Sequence, residues 1–195
     1  MEKTELKSSY IFALINFFLF LIIFCFIFEA TKVFLKELRL KEDFKLWILF
    51  LGGVFPLIFY TFIADLNNIY NKIQYFFFRH SFLNLLMPSI LILLSLSYFL
   101  IPKIFKISFN KDIFIFLGGA FFTSHLIFVA KKNKGASFIS FINYIFIFSM
   151  LYIFGLIILG IYLAIGFNLH LGKVAVDSIK NGFSLVRSIF FQLLP

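Results

Sequence analysis

Long apolar runs separated by short charged stretches constrain this chain more than any other feature. One of them, residues 113–130 (IFIFLGGAFFTSHLIFVA), has 18 residues and no charge, and similar runs recur along the sequence. Apolar residues make up 62% of the 195 residues and charged residues only 14%, which is too few to cover the core of a soluble domain. As a helix, an apolar run of roughly 18 residues crosses about 30 Å of hydrocarbon. The sequence therefore predicts a protein whose apolar helices are embedded in the lipid bilayer.

The runs predict an all-α fold: a polytopic membrane helix bundle of about five transmembrane helices in one domain, residues 1–167. The expected spans cover residues 10–28, 46–64, 82–101, 113–130 and 138–165. The second contains Gly52, Gly53 and Pro56; glycines let a neighbouring helix approach closely, and proline bends a helix. At 1.5 Å per residue the fifth would be about 42 Å long, so it must tilt, kink or protrude.

Two segments outside the spans have helical patterns of a different kind. Residues 29–45 alternate charges of both signs with apolar residues, and we expect a solvated connector that either extends the first span or lies along the membrane surface. Residues 168–195 place apolar side chains on one helical face and Lys173, Lys180 and Arg187 on the other. We expect an amphipathic helix that lies in the membrane interface or docks on a partner. A sixth span is disfavoured because each basic residue in hydrocarbon would cost roughly 2.5–3.5 kcal/mol.

The distribution of basic residues predicts the orientation. With five spans, one side of the membrane carries seven of them, namely Lys3, Lys7, Lys72, Arg79, Lys131, Lys132 and Lys134, and the other carries eleven, from Lys32 to Lys45, at Lys103, Lys106 and Lys111, and in the tail. Basic loops favour the cytoplasm, which predicts an inner-membrane protein with its N-terminus outside and its C-terminus inside. The net charge of +9 then reflects contact with anionic lipid headgroups, especially at Lys173, Lys180 and Arg187, and not with nucleic acid.

A small set of polar residues inside the spans forms the candidate intramembrane site. On the predicted threading, His125 and Asn16 lie about 5 Å and about 4 Å from the midpoints of their spans, in the same leaflet. Asn143 and Asp65 lie nearer the same surface, and Thr123 and Ser124 adjoin His125. Polar groups in hydrocarbon must be paired or wetted, so we hypothesise that these residues converge on one polar cavity. The alternative is that His125 bonds a neighbouring helix and that Asp65 caps its span.

The sequence carries no recognisable catalytic motif. It has no phosphate-binding glycine loop, no HExxH zinc motif and no pair of carboxylates within helical reach inside a span. Cys25 is the only cysteine, which excludes an internal disulfide. We therefore predict no catalytic residue, no metal and no cofactor.

Three functions fit these features. The first is a non-catalytic component of a small-solute or ion transport assembly, either a homo-oligomer that forms the pathway or the membrane subunit of a larger complex. The second is an interaction or scaffold subunit whose amphipathic C-terminal helix recruits a partner. The third is a membrane-embedded enzyme with His125 as acid or base and Asp65 orienting it.

Overall fold

A computed structural model describes residues 2–62, 66–106, 109–132 and 138–193. Within these ranges the backbone forms eight helices and no strand, which confirms the all-α prediction. The helices are α1 (Glu2–Arg39), α2 (Leu46–Phe62), α3 (Leu66–Phe77), α4 (Ser81–Leu86), α5 (Ser89–Phe105), α6 (Lys111–Lys132), α7 (Phe138–Phe167) and α8 (Leu171–Leu193).

Three of these helices are long and apolar enough to cross a membrane, fewer than the five predicted. They are α1 over Tyr10–Arg39, α6 over Lys111–Lys132 and α7 over Ser140–Phe167. Both α2 and α5 are apolar but have only 17 residues. At 1.5 Å per residue each is about 26 Å long, which is shorter than the roughly 30 Å of a typical hydrocarbon core.

The predicted third span, residues 82–101, is not one helix. Its first part forms α4, the chain leaves the helical conformation at Met87, which is extended, and at Pro88, and α5 then begins at Ser89. Proline has no backbone N–H and disfavours a helical conformation in the residue before it, which accounts for the break. Pro56, by contrast, lies inside α2 without ending it.

The connector expected after the first span extends that helix as far as Arg39, as one of the two alternatives predicted, but it is not solvated on every side. The helix α1 continues without a break to that residue, and Phe34 and Leu38 are buried in the main core with residues of α2, α6 and α7. Glu29 and Glu37 are buried as well, 6% and 8% exposed, and form ion pairs with Lys32 and Lys41. Since Phe34 and Leu38 are four residues apart, they share one helical face that packs inward.

Glycines bring α2 and α6 into backbone contact, as the sequence predicted. A Cβ at Gly52 would collide with the Phe116 carbonyl, and one at Gly119 with the Leu49 carbonyl. The two helices form the most extensive contact in the bundle. Small residues permit such close approach where helices pack in lipid.

Three turns meet at one end of the bundle, which we call the turn end: residues 40–45, the residues described between α5 and α6 (106, 109 and 110), and residues 168–170. Lys45 pairs with Asp112, and Lys111 with Asp43, both at 2.6 Å, while Lys41 Nζ donates to the Asn168 carbonyl at 2.9 Å. The hydrogen bond and charge of Lys111 lower the pKa of Asp43 below its ordinary value of 3.8.

The predicted amphipathic helix is present as α8, but it packs lengthwise against α1. Gly182 lies against the Phe26 ring, and that ring meets Phe183 edge-on with centroids 5.1 Å apart. Further along, Val186 and Ile189 share a groove with residues 18–25 of α1, so α8 runs antiparallel to α1. Most of the face predicted to be apolar stays exposed, at Val176, Ile179, Phe183 and Phe190. Ser178 and Gly182 are buried instead, because small residues allow the closer approach.

Candidate functional site

His125 is completely buried in α6 and paired with a tyrosine on α3. Its Nδ1 lies 3.1 Å from the hydroxyl oxygen of Tyr70, and both rings pack around Phe128. Its Nε2 has no hydrogen-bond partner among the described residues. Either group can donate in this contact, because the direction depends on which ring nitrogen carries the proton.

A second buried network lies one helical turn along α3 from Tyr70. The Gln74 side chain is fully buried, and its Nε2 donates to the carbonyls of Asn84 (2.7 Å) and Met87. Its Oε1 accepts from the backbone N–H of Ser89 at 3.2 Å and from the Ser89 hydroxyl. Gln74 therefore ties α3 to both sides of the Pro88 break, where the interrupted helix leaves backbone groups without partners.

Sequence reasoning missed Tyr70, Gln74, Asn84 and Ser89. Tyr70 and Gln74 lie outside the five expected spans, yet they are buried at 4% and 0% exposure. Their spacing of four residues places both on one face of α3, which was the available signal.

The asparagines form a pair of their own. Asn16 Nδ2 on α1 donates to Asn143 Oδ1 on α7 over 2.7 Å. Within the described residues no hydrogen bond joins this pair to His125, and Asp65 lies outside the described residues. The structure thus brings two of the predicted site residues together and places His125 in a separate contact.

The three consecutive residues at 123–125 face different surroundings. The Ser124 hydroxyl donates to the Ala120 carbonyl of its own helix at 2.8 Å. Thr123 faces α2 and approaches Gly53, on another side of α6 from Tyr70. They do not form one polar cluster.

Thr123 lines an inner cavity of about 170 Å³ between α1, α2, α6 and α7. Two other hydroxyls line it, from Thr31 and Tyr152, at a mutual distance of 3.1 Å. Thr31 Oγ1 donates its proton to the Ile27 carbonyl at 2.8 Å, so the Tyr152 O–H donates to Thr31. The rest of the wall is mainly apolar.

The predicted headgroup contacts on α8 are exposed: Lys173, Lys180 and Arg187. Arg187 lies over the ring of Phe191, its Cζ 5.3 Å from the ring centroid. Guanidinium and aromatic groups attract each other in this geometry, which holds the charge near an apolar surface.

The described residues include no group of three His, Cys, Asp or Glu side chains that could hold a metal ion. Comparison with protein-family models, curated proteins and solved structures gives no match to this chain. Function must therefore be argued from these contacts alone. Chemically, the His125–Tyr70 and Asn16–Asn143 pairs exchange hydrogen bonds between helices. The enzyme hypothesis requires Asp65 beside His125 and stays a prediction.

Proposed function

We propose that this protein is integral to the inner membrane and crosses it five times, with the N-terminus outside and the C-terminus inside. The three long apolar helices support the membrane location. Helices α2 and α5 would be short crossings; a short span is accommodated by local thinning of the bilayer at modest energetic cost. The extensive packing of α2 against α6 supports the proposal that α2 also crosses the membrane, because residues in contact between the two helices lie at the same depth.

Within the membrane we propose a non-catalytic component of a transport assembly for ions or small solutes. One observation carries the proposal: the polar side chains inside the bundle form hydrogen bonds with each other in separate pairs instead of lining one continuous path across the membrane. The inner cavity, about 170 Å³, is also smaller than an ordinary ligand pocket, which starts near 300 Å³. A pathway would then be completed between chains, either among copies or with another subunit.

Isolation from native membranes tests this proposal. The protein, extracted in mild detergent and cross-linked before purification, is expected to migrate as an oligomer or together with another membrane protein. A monomer that copurifies with nothing, and that passes no ion or solute in liposomes, would contradict it.

An interaction subunit is the second candidate, and a groove between α1 and α8 supports it. The groove measures about 310 Å³ and is lined by apolar side chains and Cys25. Beside it, Ile179, Phe183 and Phe190 are exposed on α8. Deletion of residues 172–195 should abolish partner capture while the other helices stay folded; unchanged capture would exclude this candidate.

A further inference from the structure

The outer face of α1 carries three basic residues beside a groove that nothing in the described structure fills. Lys32, Lys36 and Arg39 are spaced by four and three residues, so they share one helical face. They line an open groove of about 480 Å³ together with Phe28, Thr31 and Leu35. Lys32 is paired with Glu29 at 3.2 Å, whereas the ion pairs of the described residues leave Lys36 and Arg39 without a carboxylate.

The depth of this groove follows from contacts inside the bundle. Thr31 bonds Tyr152, near the middle of α7, and the Tyr152 ring contacts Phe122, near the middle of α6. Thr31 therefore lies at the midlevel of both candidate spans. Five and eight residues further on, Lys36 and Arg39 lie about 8 Å and about 12 Å from it along α1, toward the turn end.

Exposed cations at such depths need a polar partner. A charge left in hydrocarbon is unfavourable, but the long side chains of Lys and Arg extend toward the interface, roughly 15 Å from the midplane. The groove is thus cationic toward the turn end and apolar at Phe28, which lies on the other side of Thr31 from the turn end. An amphiphilic anion, with a charged group at one end and an apolar part at the other, matches this arrangement.

The groove also adjoins the inner cavity. Thr31 and Leu35 line both, so the groove and the cavity share these two side chains as a common wall. The cavity wall behind them is mainly apolar, including Leu49, Phe122 and Leu159. An acyl chain that passes between Thr31 and Leu35 would contact apolar side chains in the inner cavity.

We propose that this face of α1 binds an anionic phospholipid, with its phosphate on Lys36 and Arg39 and an acyl chain along Phe28 and Leu35 toward the inner cavity. Arg and Lys donate charge-assisted hydrogen bonds to phosphate oxygens. The cytoplasmic leaflet, where the turn end is proposed to lie, is rich in anionic lipid. The site does not depend on a transport function.

Lipid retention tests the proposal. The full chain is reconstituted into vesicles of phosphatidylcholine and phosphatidylglycerol in equal amounts, extracted, and its retained lipids are identified by native mass spectrometry. Wild type should retain phosphatidylglycerol in preference. The double variant Lys36→Gln/Arg39→Gln should lose about 30-fold of that preference, since each basic residue near an anionic surface contributes roughly fivefold.

The matched control is Lys103→Gln/Lys106→Gln, which removes two exposed basic residues from the end of α5 and should retain the lipid as wild type does. Equal retention by the two double variants, with equal thermal stability, would overturn the proposal. Displacement of the lipid by inorganic phosphate would reduce the site to an anion site without an acyl chain. Loss of a copurifying acidic protein in the Lys36→Gln/Arg39→Gln variant, with lipid retention unchanged, would replace the lipid by a protein partner.

Discussion

At the scale of single residues, buried polar side chains find their partners on neighbouring helices. The sequence places Asn16 and Asn143 in one leaflet, with Asn143 nearer the surface, and the two side chains do bond each other. The partner of His125 was not visible, because Tyr70 lies outside the five expected spans. Hydrophobicity reports depth along a span, but which face of a short amphipathic helix turns inward depends on tertiary packing.

The His125–Tyr70 contact should contribute measurably to stability. In a double-mutant cycle of His125→Leu and Tyr70→Phe, we expect a coupling free energy of about 0.6–1.7 kcal/mol, the usual range for hydrogen bonds between membrane helices. Unfolding in detergent measures it. A control cycle pairs Tyr70→Phe with a substitution of the exposed His170 and should give no coupling; equal values in both cycles would remove the interhelical role of His125.

The Asp43–Lys111 ion pair should confer sensitivity to acid. Because Lys111 lowers the pKa of Asp43, the stabilisation is complete above the ordinary value of 3.8 and is lost as the pH falls through the lower folded value. Wild type should therefore lose more stability below about pH 4 than Asp43→Asn does, by a small margin because both groups are exposed. Thermal unfolding from pH 7 to pH 3 measures this. Glu42→Gln, at an exposed neighbour, should leave the slope unchanged; if it mimics Asp43→Asn, the ion pair is irrelevant.

At the scale of elements, contacts marked by a strong local signal such as a glycine could be predicted, whereas the face that each helix turns inward could not. The glycines of α2 indicate a close helix contact, which the structure has, whereas the break at Pro88 lies inside a span predicted to be continuous. The charges in the second half of α1 indicate contact with solvent, although Phe34 and Leu38 supply a face that packs inward. Ion pairs with Lys32 and Lys41 let Glu29 and Glu37 be buried beside that face.

The two glycines of α2 should respond differently to an added methyl group. In Gly52→Ala the new Cβ meets the backbone carbonyl of Phe116, which cannot move without shifting α6. We expect a loss of about 1–3 kcal/mol, as for overpacked interiors. In Gly53→Ala the nearest atom is the Thr123 hydroxyl oxygen at 3.1 Å, which can rotate, so the loss should be smaller. Equal losses in denaturation would contradict the observed α2–α6 crossing.

At the scale of the whole molecule, composition predicted an all-helical protein with apolar helices, and the structure confirms this. The helix lengths differ from the prediction, because α2 and α5 are shorter than the membrane spans expected there. The course of α8 along α1 could not be predicted, because two apolar or amphipathic helices contain no local signal for which one covers the other. Pairing by small residues such as Gly182 is decided by the three-dimensional fit.

Flux across liposomes tests the proposed transport role most directly. The assembly purified from native membranes and the dissociated single chain are reconstituted separately and assayed for the passage of ions and small solutes. We expect the assembly to conduct and the single chain to be silent, since its internal polar groups pair with each other. Flux through the single chain alone, or none through the intact assembly, would contradict a pathway completed between chains.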